Sequence, residues 1–284
     1  MVCAAALFAA MGAATRLASL ERPHLSPYAI AMARFCIGGA FVVVMFATGL
    51  RRLRWVNRRW IVVRGVMGGY TATALFWSIA NLGLAKSVLY AHTFPVFAAL
   101  AAGPILRERL ALGHWLSIGA AILGIEVVAG FARVSFSSAD LVGISVGLTW
   151  GVAVVSVTKC RETDDATNIF WSQCIFGMAL TAWPAAHCWV WPSPAEWATL
   201  LIIGALAVGA QLAMTYSLRY TGATYGSLLC LLTPVLSTLL AVTVLGERLP
   251  IEFWGGGALI LMACVCLAVR PVQREQRPAS ELGD

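Results

Sequence analysis

The chain has 284 residues and a mass of 30.3 kDa; 60% of its residues are hydrophobic, 12% are charged, and the mean hydropathy is +0.81. Soluble domains are roughly 45–50% apolar and about 25% charged, and disordered, collagen-like or disulfide-stapled chains fail on the same figures, so a polytopic membrane protein remains. The net charge of +7 would suit nucleic acid, but the basic residues sit in short connections between apolar runs, where positive-inside bias puts them, and no nucleic-acid partner is expected.

Apolar runs long enough to cross a bilayer lie at about 1–19, 27–50, 60–81, 86–106, 112–131, 140–158, 168–188, 197–218, 222–245 and 251–269. With connections so short they read as helical hairpins, because open strands cannot satisfy their backbone in lipid. The expected fold is all-α, with ten transmembrane helices. No basic stretch precedes Val2–Ala14, so a cleaved signal peptide is not expected, and helix 1 reads as lacking its first few residues. The tail from Arg270 is polar, holds two prolines and is expected to lack structure. With the N-terminus inside, Arg51, Arg52, Arg54, Arg58, Arg59, Arg107, Arg109, Lys159, Arg161, Arg219, Arg270, Arg274 and Arg277 are cytoplasmic. Only Arg16, Arg22, Lys86, Arg133 and Arg248 are external. Thirteen against five places both termini in the cytoplasm and the protein in the plasma (inner) membrane. Six of the eight cysteines fall inside spans as small hydrophobes, and none has metal-ligand spacing with a helpful His. Neither disulfides nor a metal or other cofactor is expected.

A shift of 139 residues lays Gly83–Leu110 on Gly222–Leu249 without a gap. Pro95 falls on Pro234, Glu108-Arg109-Leu110 on Glu247-Arg248-Leu249, and Gly12 on Gly151. One repeat is five helices, an odd number, so the halves must be inverted in the membrane. The five arginines of Arg51–Arg59 face, in the other half, a connection with no Lys or Arg but with Trp189, Trp191, Pro192, Pro194 and Trp197, an interfacial aromatic belt. The expected units are 1–133, 134–270 and a cytoplasmic tail 271–284. Inverted repeats mark alternating-access transporters that bind cargo near the midplane.

Two five-helix halves, each ending in a Pro followed thirteen residues later by Glu-Arg-Leu, resemble the paired EamA-type domains of the drug/metabolite transporter superfamily. Met11-Gly12 and Trp150-Gly151 stand where that family has a Trp-Gly pair, and Arg34 stands at its helix-2 Arg. Met11 departs from the expected Trp, and the second half has no Arg matching Arg34. The resemblance implies a secondary carrier with helices 1–4 and 6–9 around a central cavity and helices 5 and 10 at the periphery. It leaves cargo open among amino acids, nucleotide-like metabolites, sugars and vitamins.

Gly143-Ile144-Ser145-Val146-Gly147 matches the nucleophile elbow, but that motif needs a strand-to-helix turn and here lies in a helical run. Gly143, Gly147 and Gly151 read better as a small-residue packing face. An intramembrane hydrolase using Ser145 and His92 is a remote alternative. There is no Gly-rich phosphate loop, so ATP is not the expected energy source. Glu108 and Glu247 read as caps of the helices that follow them, with gating as the other role. Pro95 and Pro234 should bend helices 4 and 9, either making room for a cavity or shaping the packing.

Ionisable groups inside spans are functional suspects. Arg34 either binds a cargo carboxylate or holds a structural network; His92 either meets cargo or a proton, or bonds a neighbouring helix. Glu126 reads as interfacial, and Arg64 and Lys86, near span ends, as snorkelling. Tyr70, Thr73, Trp77 and Asn81 form one stripe of helix 3, lining either a cavity or an interhelical seam. Tyr90, Trp150, Gln211 and Tyr216 complete the candidate cargo-binding set. The resulting expectation is an alternating-access carrier, not an enzyme, for a small amphipathic metabolite, an amino acid or relative, with export favoured. Import of a nucleotide-like or vitamin-like metabolite is the alternative, and a homodimer is left open.

Overall fold

The computed structural model describes residues 2–22, 24–106, 108–109, 112–129, 137–161, 163–230, 232–269 and 273–274, with side chains left out at 99, 102–106, 108–109, 129, 215–229, 267–268 and 273–274. The helices are α1 (Val2–Glu21), α2 (Pro27–Ala47), α3 (Arg58–Leu82), α4 (Leu84–Ala91), α5 (Phe94–Leu106), α6 (Leu112–Ala129), α7 (Ser138–Cys160), α8 (Ala166–His187), α9 (Pro194–Cys230), α10 (Leu232–Thr243) and α11 (Ile251–Val269). Helices α1, α2, α7 and the Pro194–Met214 part of α9 are each long and apolar enough to cross a membrane. Helix starts are written locally. Ser26 accepts from the amides of Tyr28 and Ala29 with Pro27 at the first helical position, and Ser137 with Asp140 forms a capping box on α7.

The fourth span is not one bent helix. It divides at His92–Thr93 into α4 and α5, with Pro95 in the first turn of α5. α3 and α4 are separated by Gly83 alone, at φ +87°, a backbone setting close to glycine-only. The sequence also suggests a break at 219–221; helical backbone is continuous from Pro194 to Cys230, yet Gln211 and Cys230 line one cleft, so the chain turns back between them. A second difference concerns the tail. Gln273 and Arg274 form a two-residue strand, β2, antiparallel to β1 (Glu108–Arg109), so part of the segment expected to be structureless is paired.

The packing repeats under exchange of the halves. α3 lies on α7 and α8 as α9 lies on α1 and α2, and α5 lies on α7 as α10 lies on α1. The pairs α2–α8 and α6–α11 map onto themselves. This is the pseudo-two-fold signature of two inverted five-helix repeats, giving an all-α polytopic fold of ten spans. Connections obey it as well: Asp164 accepts from the amides of Val56 and Asn57 ahead of α3, while at the opposite end His24 meets Glu196 at the start of α9. Small residues let the crossings close. A Cβ on Gly69 would stand 2.8 Å from the Cα of Gly177, and one on Gly151 would stand 2.6 Å from the amide nitrogen of Ala98. The Gly143–Gly151 face thus packs on α4 and α5.

Candidate functional site

Helices from both halves meet around one pocket at mid-depth. Arg34 of α2, Arg64, Gly68 and Phe76 of α3, Trp150 of α7, Gln173 of α8 and Gln211 of α9 line about 70 Å³, closed by Phe8 and Met11 of α1. Arg64, Trp150 and Gln211 also border an adjoining cleft of about 110 Å³ that runs past Val157 to Arg161 and Ala166, at the α7–α8 connection. A larger groove of about 400 Å³ lies between α10 and α11, bounded by Pro234, Val235 and Trp254. Val235 and Trp254 are half-exposed, so this groove belongs to the apolar outer surface.

Arg34 is only 7% exposed. Its guanidinium carbon sits 5.3 and 5.7 Å from the ring centres of Phe35 and Phe76, and its Nε and Nη1 have no hydrogen-bond partner among the described residues. Arg64 corrects the snorkelling reading. It is equally buried, its Nη2 donates to Gln173 Oε1 at 3.0 Å, and its Nε has no partner among the described residues. Gln173 in turn donates to the carbonyl of Gly68 at 3.0 Å. A Cβ on Gly68 would collide with Arg64 Nη1, so the missing side chain one turn along lets the arginine fold back into the bundle. That Arg-x-x-x-Gly spacing is the signal by which the sequence could have flagged Arg64.

Trp150 borders the pocket, the cleft and a small void beyond them. Phe94 stacks on it at 4.7 Å, and His92 meets it edge-on at 5.1 Å. His92 Nδ1 lies 2.9 Å from the carbonyl of Val88, so the ring is tied to its own helix while facing the small void. The structure therefore gathers Arg34, His92, Trp150 and Gln211. It does not bring the helix-3 stripe to the pocket. The pocket face of α3 is Arg64, Gly68, Thr71, Ala72, Leu75 and Phe76, whereas the Tyr70 hydroxyl pairs with Ser145 at 2.9 Å, Thr73 donates to the Gly69 carbonyl, and Trp77 borders neither the pocket nor the cleft. Ser145 and His92 are likewise not paired, and Ser145 donates to the Val142 carbonyl inside α7. The side chains of Tyr216 and Glu108 lie outside the described residues.

At the end opposite the cleft, two charged groups of contacts tie the helices together. Tyr90, fully buried, donates to Asp140 Oδ1 at 2.9 Å, and Lys86 Nζ reaches the same oxygen at 2.6 Å, so Lys86 does not snorkel. Glu247 does not cap its own following helix. It accepts from the amides of Leu84 and Ala85 at 2.7 and 3.2 Å, capping α4 of the other half, and from Arg16 Nε at 3.1 Å. Arg16 also donates to the carbonyls of Ile79 and Ala80 at the end of α3, where the Ile79 oxygen is shared with the Gly83 amide. One acid and one base thereby finish both sides of the Gly83 corner.

The EamA-like transporter family matches residues 1–130 and 137–269. The chain belongs to that family. The pseudopaline exporter of Pseudomonas aeruginosa is 25% identical over 274 residues, covering 94% of each chain. A riboflavin transporter of Vibrio cholerae is 20% identical over 281 residues, covering 98% of this chain and 94% of that one. A solved crystal structure shares the fold with a TM-score of 0.65 at 22% identity, over 94% of this chain and 95% of the other. The family and these named relatives are transporters, not enzymes, and this EamA-like protein is an integral membrane transporter of a small molecule.

Proposed function

We propose that this EamA-like protein is a secondary carrier that exports a small amphipathic metabolite, an amino acid or a relative of one, by alternating access. The observation that carries the reading is the midplane pocket, whose cleft leads to the arginine-rich end of the bundle while ion pairs close the other. With that end in the plasma-membrane cytoplasm by positive-inside bias, the conformation is the one that loads cargo from inside. Both termini are then cytoplasmic, and residues 1–133 and 134–270 are the two rocking units. Trp150 offers a face on which an apolar body stacks, His92 and Gln211 offer polar contacts, and Arg34 meets an anionic head. The likeness to a protein named as an exporter favours the outward direction.

Cells expressing the chain and preloaded with labelled amino acids should lose label faster than vector controls, and Trp150→Ala should abolish the difference. Equal loss from both cell types for every solute would remove the reading. A second reading, carriage of a flat vitamin-like solute, is favoured by the Phe94–Trp150 stack and by the riboflavin transporter among the relatives.

A further inference from the structure

We infer that the cargo carries two anionic groups, one met by Arg34 and one by Arg64, on an apolar body lying against Trp150. This rests on the reading of the midplane pocket as the cargo site and narrows what that site takes. Two guanidiniums, each 7% exposed, border one small pocket inside the membrane span. Arginine keeps its charge across the working pH range, so neither can escape the cost of burial by losing a proton. Among the described residues, no Asp or Glu borders the pocket or the cleft. The acids that could have answered them are used at the ends of the bundle: Glu247 on Arg16 and α4, Asp140 on Lys86 and Tyr90, Asp164 ahead of α3.

Donors are left over as well. Arg34 has two unpartnered nitrogens and Arg64 one, among the described residues, while the fixed fork of each guanidinium suits a carboxylate. Their placement orders the cargo. Arg64 stands where cleft and pocket join, and Arg34 borders the pocket alone, so the two anionic groups are met one behind the other along the path inward. A single carboxylate would leave one buried cation uncompensated, and a cargo whose only charge is an amine would add a third positive charge, so the amino-acid relatives that fit are those with two acidic groups. The positive lining also concentrates anions at the mouth.

The test uses three probes with the same phenyl ring: 2-phenylsuccinate with two carboxylates, 3-phenylpropionate with one, and phenethylamine with a cation. Each is titrated against the detergent-purified full chain by thermal shift. We expect 2-phenylsuccinate to bind about tenfold or more tightly than 3-phenylpropionate, and phenethylamine not to stabilise. Arg34→Gln and Arg64→Gln should each remove that preference. Equal or tighter binding of either competitor, no stabilisation by 2-phenylsuccinate, or a preference that survives in a folded variant would overturn the inference. The ranking on the parent protein needs no variant, so a misfolded variant leaves the test standing. Failure here with efflux intact removes the dianion and keeps the carrier; loss of all efflux removes the carrier reading itself.

Discussion

Glu247 shows what a single carboxylate can hold. It takes two backbone amides and one guanidinium, all at 3.2 Å or less, with only 12% of its side chain exposed. Glu247→Gln keeps the shape but sets an amide donor against other donors. We expect a loss of about 1–3 kcal/mol, read as a lower melting temperature in detergent. The Glu-Arg-Leu repeat that flags Glu247 is plain in the sequence, but its partner is not. Intervals along a chain reveal caps on neighbouring helices, and this cap lies 163 residues away across the pseudo-axis.

Asp164 gives a pH prediction outside the spans. Burial alone would raise its pKa, but hydrogen bonds from Thr163 and from the Val56 and Asn57 amides, with the charge of Arg54, outweigh burial and hold the carboxyl below the ordinary range. A lowered folded value means its stabilisation is complete above the unfolded pKa of about 4 and disappears as pH falls through the lowered one. Melting temperatures measured from pH 7 to pH 3 should fall on the acid side, and Asp164→Asn should flatten that fall.

Among helices, glycines separate into those that set a crossing and those that do not. Gly69→Val would drive its side chain into the backbone of Gly177, which cannot rotate away, and should cost on the order of 1–3 kcal/mol. Gly119→Ala and Gly255→Ala meet nothing within 4 Å and should be neutral or stabilising by up to about 1 kcal/mol. Thermal unfolding of the three variants side by side checks the contrast. Helix existence was legible in this way of reading, because lipid leaves the backbone few options. The pocket face of α3 was not. A polar and aromatic stripe such as Tyr70-Thr73-Trp77 identifies one face of a helix, but α3 is surrounded by α2, α4, α7 and α8, and only packing decides which face meets the pocket. The face that does so is partly glycine and alanine, which no hydrophobicity pattern marks.

For the molecule as a whole, the inversion was readable from an odd helix number and a 139-residue shift, whereas the charge of the pocket depended on one misread arginine, Arg64. Rocking requires that the contacts at the closed end separate. In a chain whose native cysteines have been replaced, Lys86→Cys with Asp140→Cys joined by a short reducible bifunctional thiol reagent should stop efflux. Reductant should restore it. Efflux that continues while the link is intact would show that these helix ends need not part.

The corner at Gly83 also has a consequence in time. The amides of Leu84 and Ala85 are synthesised 163 and 162 residues ahead of the carboxylate that caps them. At about 5–20 residues per second, the first turn of α4 waits on the order of 8–30 s for its acceptor. Until the ninth span arrives, the first half sits in the bilayer with an unfinished helix end, and the last stages of insertion of the second half complete the fold of the first.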